Sequence, residues 1–135
     1  MTQEIGHTEV IARFSITDLD CDPDIMTERL HIQPTKIWRV GDERAKPGSG
    51  LTFENSGWRI ESDLPRTRPV MDHVENLLKR MAPGWSILTN VSAGYYIELA
   101  LAITMPEGER PELHFDAAIL SKLAEVNAHI DVDLY

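Results

Sequence analysis

The order of elements in this fold is set by residues 22–42, which read D-P-D-I-M-T-E-R-L-H-I-Q-P-T-K-I-W-R-V-G-D. Asp22 is placed to cap a helix, because its carboxylate can accept hydrogen bonds from free N–H groups in the first turn. Pro23 suits the first helical position, where no N–H is needed. The helix must end before Pro34, which disfavours helical backbone at the residue preceding it. A short strand around Ile37 and Trp38 follows, so the stretch predicts a helix and then a strand.

The strand leads into a long loop, residues 41–57, which has little hydrophobic periodicity and much glycine, proline and serine. The tripeptide G-S-G lies near its centre, at residues 48–50. A connection of this length in a compact domain is usually functional or mobile. We therefore predict a flexible loop, followed by a strand in which Trp58 and Ile60 alternate with charged residues.

The remaining elements follow from the spacing of apolar residues. A helix is predicted from one apolar stripe, formed by Val70, Val74, Leu77, Leu78 and Met81. A further helix begins with Asp116 as its cap and ends near Asn127, which tolerates a left-handed backbone. Alternation with a period of two predicts strands at residues 10–17, 97–104 and 130–135, and another that begins at Trp85 and turns near Ala93 and Gly94.

Most of these strands have one apolar face and one polar face. That pattern is typical of a largely antiparallel sheet with one open face and with helices packed on the other. We predict a two-layer α+β fold with about three helices on one face. The order of elements suggests strand–helix–strand units like those of ferredoxin-like folds. The length of 135 residues predicts a single domain that spans residues 1–135.

The composition narrows the class of protein. Hydrophobic residues make up 42% and charged residues 26%, which is typical of a soluble globular domain. The net charge of -9 repels phosphate backbones and anionic membranes, so it disfavours nucleic acid as a ligand and favours basic partners. No apolar run approaches the ~20 residues that span a bilayer. The polar N-terminus lacks a basic segment before an apolar one, so we expect no secretory signal and a cytoplasmic location.

The charge is unevenly distributed along the chain. Residues 36–68 carry seven basic and five acidic side chains, while the segments on either side are strongly acidic. Two interpretations are open for this cationic segment. Its lysines and arginines could simply keep a solvated loop soluble, or they could form a recognition surface for an acidic or phosphate-bearing ligand.

No motif for catalysis or metal binding is present. The single Cys21 excludes an intramolecular disulfide and any CxxC motif. The five histidines have no H-x-x-x-H or H-E-x-x-H spacing, and His73 is predicted to be exposed among polar neighbours. The alternating aspartates at residues 18–24 lack the glycine and the bidentate glutamate of an EF-hand loop. We therefore predict no metal site, no cofactor and no catalytic residue.

A candidate binding site surrounds the cationic loop. It comprises Thr35, Trp38, Arg39, Asp42, Trp58 and Arg59. Aromatic side chains beside arginine can bind nucleobases or planar anions. The alternative interpretation is structural, because two tryptophans that flank a loop are more often core residues that support it.

Ten residues form a pattern that extends beyond any single element: Asp22, Pro23, Asp24, Leu30, Ile32, Pro34, Thr35, Gly41, Asp42 and Trp58. On this pattern the sequence resembles a family of small bacterial proteins catalogued only as a domain of unknown function. The resemblance covers nearly the whole chain, with one departure, since Met26 separates Ile25 from Thr27. It implies a small bacterial α+β domain and implies no activity.

Two hypotheses about function remain. The first is a non-enzymatic binding domain whose acidic body binds a basic protein partner, as an immunity protein neutralises a basic toxin. The second is a small-molecule or nucleotide-binding domain, an enzyme included, with its site under the 41–57 loop. The absence of a catalytic constellation favours the first. A sheet face or edge left open could also pair two copies of the chain.

Overall fold

The computed structural model describes residues 6–135, and the first five residues of the polar N-terminus lie outside the described part. The described chain folds into β1 (Glu9–Thr17), α1 (Pro23–Leu30), β2 (Lys36–Trp38), β3 (Gly57–Glu61), α2 (Val70–Met81), α3 (Trp85–Val91), β4 (Tyr96–Thr104), α4 (Ala117–Ala124) and β5 (His129–Leu134). Two 3-10 turns, Ala82–Gly84 and Ser92–Gly94, flank α3. No helix within residues 6–135 is both long and apolar enough to cross a bilayer.

The five strands form one sheet in the order β2-β3-β1-β4-β5. Neighbouring strands are antiparallel, except β4 and β5, which are parallel. The helices bury their apolar residues in one core against one face of the sheet, so the predicted two-layer α+β class is confirmed. The first strand–helix–strand unit is β1-α1-β2, and the second runs from β3 through α2 and α3 to β4. In the sheet, β3 lies between the two strands of the first unit and β1 lies between the two strands of the second, so the units interleave. The closer likeness to ferredoxin-like folds stays a prediction.

The central strand β1 supplies the middle of the core. Val10, Ala12, Phe14 and Ile16 are each at most 2% exposed, and the residues between them lie half-buried on the other face. They stand opposite the buried residues of β4 in register. Full burial of such a side chain contributes roughly 1.5–3 kcal/mol, so this paired face is a major source of stability.

Helix α1 begins and ends where the sequence predicts. The Asp22 carboxylate accepts a hydrogen bond from the backbone N–H of Asp24 at 3.0 Å, and Pro23 occupies the first turn. The helix stops at Leu30, because His31 adopts a left-handed backbone with φ 57°. Met26 and Leu30 form the buried side of the helix, whereas Ile25 is 40% exposed.

Helix α2 confirms the predicted apolar stripe. Its buried residues include Val70, Val74, Leu77 and Met81, and Leu78 is half-buried. Lys79 and Arg80 lie in the last turn, where positive charge complements the carbonyl end of the helix. The stripe therefore fixes which side of α2 faces the sheet.

The predicted strand at Trp85 is wrong, because Trp85–Val91 forms helix α3. Trp85 and Leu88 are buried one turn apart, as on one face of a helix, whereas two residues three apart point to opposite faces of a strand. The Trp85 indole N–H donates to the Glu125 carboxylate at 2.8 Å and so joins α3 to the end of α4. A fourth helix thus takes the place of the expected strand in the helical layer.

The turn between α2 and α3 explains why a further helix can follow Pro83. Pro83 occupies the first turn of the 3-10 segment, where its missing N–H costs nothing. A Cβ on Gly84 would lie 2.8 Å from the carbonyl oxygen of Leu30, so only glycine fits there without movement. The turn therefore redirects the chain into α3 while it packs on the end of α1.

Helix α4 and strand β5 close the fold as predicted. The Asp116 carboxylate accepts from the backbone N–H of Ile119 at 2.8 Å, which is the expected cap. Asn127 has φ 54°, the left-handed backbone expected of it after the helix. β5 then pairs only with β4 among the described residues, so its outer edge is the free edge on that side of the sheet.

Residues 41–56, here called the flap, form the long connection that the sequence predicts between β2 and β3. The flap is a narrow ribbon with its own backbone hydrogen bonds. Gly41 N–H donates to the Phe53 carbonyl at 3.0 Å, and Phe53 N–H donates to the Asp42 carbonyl at 2.9 Å. Arg44 N–H donates to the Leu51 carbonyl at 2.9 Å. The ribbon therefore holds Phe53 in a defined position beside the sheet.

Candidate functional site

The face of the sheet opposite the helices carries the candidate functional surface, here called the open face. The pairing of the strands places one residue of each strand in a transverse row: Lys36, Arg59, Ser15, Glu98 and His129. A second row contains Glu61, Arg13, Ala100 and Asp131. The open face is thus cationic on β2 and β3 and acidic on β4 and β5.

The flap covers the cationic end of the open face through an aromatic pair. The Trp38 and Phe53 rings stack with centroids 5.3 Å apart at 26°. Trp38 also lies directly over Gly57, where a Cβ would fall 2.1 Å from the indole ring. Although β2 is an edge strand, Trp38 is therefore only 5% exposed.

Three cations surround these two rings, and the name "cation–aromatic cluster" is used here for the five residues together. The Arg59 guanidinium lies 4.9 Å from the Trp38 ring centroid, and the Lys36 ammonium lies 5.9 Å from it. The Arg44 guanidinium lies 5.8 Å from the Phe53 centroid. Cations near aromatic faces are stabilised by the ring quadrupole.

Arg59 is the least satisfied member of the cluster. Its Nε atom is fully buried and has no hydrogen-bond acceptor within residues 6–135. Burial, followed by the charge of Arg13, lowers the pKa of Arg59 below its ordinary value. Arginine stays protonated at neutral pH all the same. The fold therefore holds a half-buried positive charge without a bonded counter-charge.

The other half of the open face carries unpaired carboxylates. Within residues 6–135, Glu98, Asp131 and Asp133 have no lysine, arginine or histidine nitrogen within salt-bridge distance. Tyr96 donates its hydroxyl to Glu98 at 3.1 Å and stacks on His129 with centroids 4.4 Å apart. The Glu98 hydrogen bond, desolvation and the charges of Glu98 and Asp131 together raise the pKa of Tyr96.

A shallow groove of about 170 Å³ runs across the middle of the open face. Small side chains on β4, Ala100 and Ala102, form its floor, and Arg13 and Asp133 stand at its sides. The Arg13 guanidinium bonds the Glu61 carboxylate at 3.1 Å and so is already paired. The free charge beside the groove is therefore mainly negative.

Of the sequence-predicted site residues, the structure brings together Trp38 and Arg59 and disperses the rest. Arg39 follows β2, and its side chain reaches the start of α1, where the guanidinium bonds Asp22 at 2.8 Å and Asp24 at 2.9 Å. The hydrogen bond from Arg39 lowers the pKa of Asp22. The Asp42 carboxylate accepts the backbone N–H of Arg39 at 2.8 Å and so closes a turn.

Thr35 and Trp58 have structural partners in other places. The Thr35 hydroxyl accepts the backbone N–H of Glu61 at 2.8 Å, which ties the entry of β2 to β3. Trp58 points into the helical layer, is fully buried, and donates its indole N–H to the Thr27 hydroxyl at 3.0 Å. Phe53 is not among the sequence-predicted site residues, although an aromatic residue in a Gly-, Pro- and Ser-rich loop indicates such a role.

A second polar site lies where β1 and the segment after β3 separate, and it corrects the prediction that His73 is exposed. His73 is 1% exposed, and its Nδ1 lies 2.6 Å from the Ser62 hydroxyl. Its Nε2 has no hydrogen-bond partner within the described chain. A cavity of about 100 Å³ adjoins the ring and is also lined by Arg66. The sequence spacing indicates this burial, because His73 follows Val70 by three residues and so lies on the buried side of α2.

A larger cavity of about 350 Å³ lies at the start of α2, beside the loop before α4. Arg68 and Asp72 line it and bond each other at 2.7 Å. Within residues 6–135, no group of three or more His, Cys, Asp or Glu side chains is arranged to hold a metal ion.

Comparison with protein families identifies the chain. A family model described as "Domain of unknown function (DUF4279)" matches residues 8–135, so the chain belongs to that family. This confirms the resemblance to a family catalogued only as a domain of unknown function. Comparisons with curated proteins and with solved structures return no match.

Proposed function

We propose that this member of the DUF4279 family is a binding domain whose open face docks a basic protein partner through its acidic half. The observation that carries the proposal is the set of carboxylates of Glu98, Asp131 and Asp133, which make no salt bridge within the described chain. No helix covers them, and β5 is exposed along most of its length. Unpaired acids on an uncovered sheet face suit a surface that meets lysine or arginine.

The net charge of -9 supports the same partner. A field of one sign steers an oppositely charged protein toward the surface and raises its association rate, and the effect falls with added salt. An immunity-type protein that neutralises a basic toxin is the concrete form that we favour. Tyr96 and His129 would supply flat contact area beside the charges.

The free edge of β5 suits a different protein better than it suits a second copy of this chain. Edge strands with charged side chains resist pairing with another strand. Two β5 edges brought together would place Asp131 and Asp133 of both copies near each other. Repulsion between the four carboxylates disfavours that homodimer, whereas a basic partner relieves it.

The test compares two variants that change the net charge equally. In the first, Glu98→Gln, Asp131→Asn and Asp133→Asn neutralise the open face. In the second, three exposed acids of the loop before α4 are neutralised: Glu107→Gln, Glu109→Gln and Glu112→Gln. The probe is a synthetic twelve-residue peptide that alternates lysine or arginine with small residues, and its binding is measured by fluorescence anisotropy at low and at physiological salt.

We expect the open-face variant to weaken peptide binding roughly tenfold, because three partly exposed charge contacts contribute about 0.2–1 kcal/mol each. The loop variant should bind nearly as the unaltered protein does, because it changes only long-range attraction, which salt screens beyond about 8–10 Å. Equal weakening by both variants would mean that only net charge matters and would reject the assignment to this face.

The second candidate function, a small-molecule or nucleotide site beside the 41–57 segment, is favoured by one specific observation. Lys36, Arg44 and Arg59 surround two stacked rings and have no salt-bridge partner within residues 6–135. Such a cluster suits a negatively charged ligand with a planar part. Its chemistry is opposite to that of β4 and β5, so the two candidate functions use separate surfaces.

A further inference from the structure

The cation–aromatic cluster lacks the acceptor that its arrangement calls for. Buried polar groups in proteins are nearly always hydrogen-bonded, yet the buried Nε of Arg59 has no acceptor within the described chain. The nearest carboxylate in its own strand, Glu61, bonds Arg13 instead. Arg13 itself adds repulsion, because like charges close together oppose each other.

The strand register places three polar groups side by side next to this position. Lys36 stands opposite Arg59 across β2 and β3, and Ser15 stands opposite Arg59 across β3 and β1. Directly opposite side chains in antiparallel strands have Cβ atoms about 4.5–5.5 Å apart. The Ser15 hydroxyl makes no hydrogen bond within residues 6–135 and is half-buried. An ammonium, a guanidinium and a hydroxyl therefore border one spot on the open face.

We propose that this spot is a binding site for an oxyanion, the carboxylate or phosphate group of a small molecule, held by Arg59 and Lys36 with Ser15 beside them. The inference rests on the second candidate function and names its ligand class. Arg44 on the flap brings a third positive charge to the same aromatic pair, so the ligand lies at the border between flap and sheet.

The rings explain why arginine is suited to this position. Trp38 lies against the Arg59 guanidinium and limits its freedom, so less conformational entropy is lost when the anion binds. The planar fork of N–H groups matches two oxygens of a carboxylate or phosphate, which lysine cannot do. The terminal nitrogens of Arg59, unlike Nε, are not sealed from solvent and have no partner in the described chain.

The test uses the three tryptophan indole N–H signals in a ¹H–¹⁵N correlation spectrum of the full chain. Inorganic phosphate, acetate and chloride are each titrated at constant pH and ionic strength. We expect the Trp38 indole and Arg59 Nε signals to move and saturate with phosphate, with acetate, or with both. Trp58 and Trp85 are internal controls, because their indoles are bonded to Thr27 and Glu125 in the helical layer.

The acetate and phosphate titrations distinguish a carboxylate ligand from a phosphate ligand. Saturation with acetate alone assigns a carboxylate ligand, saturation with phosphate alone assigns a phosphate ester, and saturation with both assigns a general oxyanion site. A shift that is linear and does not saturate with either anion, or that is equal with chloride, overturns the proposal.

Variants localise the site. Arg59→Gln should abolish saturable shifts, and Arg59→Lys should weaken binding at least about fivefold because the fork is lost. Lys36→Gln, at an exposed position, should also weaken binding and serves if Arg59→Gln fails to fold. Arg29→Gln, an exposed cation of α1, is the matched control and should leave binding unchanged.

Saturable binding that survives both Arg59→Gln and Lys36→Gln refutes the site. The basic-peptide experiment with the acidic variants succeeds or fails independently, because it uses a probe of opposite charge on other strands.

Discussion

His73 makes the stability of this protein depend on pH in a way that can be worked out from its contacts. The Ser62 hydroxyl and Nδ1 of His73 share a hydrogen bond at 2.6 Å, and the same hydroxyl oxygen accepts the backbone N–H of Leu64 at 3.3 Å. The ring is 1% exposed, so little water reaches it to solvate a positive charge. Burial of this kind favours the neutral imidazole over the imidazolium.

Burial is the main influence on this ring, and it lowers the pKa of His73 below the ordinary value of 6.5. The carbonyl of Arg68 and the charge of Asp72 oppose the shift without reversing it. The unfolded chain therefore takes up a proton at higher pH than the folded chain does. The stability contributed by His73 is complete above about pH 6.5 and is lost as the pH falls from there toward the folded-state pKa.

The size of the effect follows from the same linkage. One titrating group changes the free energy of unfolding by at most about 1.4 kcal/mol per pH unit. Between pH 7.5 and pH 5.0 only about 1.5 units lie below the unfolded-state pKa, so the loss is at most about 2 kcal/mol. For a domain with a total stability of about 5–15 kcal/mol this is a measurable fraction.

The measurement is urea unfolding at pH 7.5 and 5.0, followed by far-ultraviolet circular dichroism. His73→Gln removes the titrating group, and His114→Gln removes an exposed histidine as the control. We expect the stability difference between unaltered protein and His73→Gln to shrink at pH 5.0, while the difference from His114→Gln stays constant. Ser62→Ala should cost about 1–3 kcal/mol at pH 7.5, because it leaves the buried Nδ1 without its hydrogen-bond partner. The same change with pH in the unaltered protein and both histidine variants would refute the assignment of a buried neutral ring.

Two further predictions concern the contact between β2 and β3 and the last helix. Gly57→Ala should destabilise the fold by about 1–3 kcal/mol, because the added Cβ would overlap the Trp38 ring. It should also raise the exposure of Trp38 to fluorescence quenchers. The control is Gly94→Ala, whose Cβ meets nothing within 4 Å and which should change neither the stability nor the quenching. Asp116→Ala should cost about 0.5–2 kcal/mol through loss of the bond to the N–H of Ile119, whereas Asp116→Asn keeps an acceptor and should cost much less, with urea unfolding as the measure for both. If both substitutions at Asp116 cost the same, the carboxylate would not be acting as a hydrogen-bonded cap.

The parts of the fold that the sequence predicts are those in which one physical rule decides the outcome. β1 and β4 alternate strictly over nine residues each, and α2 has an uninterrupted apolar stripe. The caps at Asp22 and Asp116 depend on one side chain and the backbone next to it. Because these signals are local, they predict the structure without knowledge of contacts between residues distant in sequence.

The wrong predictions lie where a contact between residues distant in sequence determines the local structure. Trp85–Val91 contains β-branched residues that suit a strand, but the bond between Trp85 and Glu125, 40 residues away, and burial against the core accompany a helix. The spacing of α2 places His73 on the buried side, but the hydrogen-bond partner of its ring, Ser62, lies outside the helix. In both cases the partner comes from another part of the chain, so the period of the hydrophobic pattern does not reveal it.

The candidate site depends on the register between β2 and β3, which the sequence leaves open. Trp38 pairs with Gly57 and Trp58 pairs with Ile37, so the two indoles point to opposite faces of the sheet. A shift by one residue would reverse the face of each residue in β2 and put Trp38 into the helical layer. Gly57 opposes that shift in a physical way, because it is the position over which a large ring can lie flat on the backbone. The ring in turn supports Phe53 and Arg59, so a residue without a side chain determines where the cationic half of the open face is built.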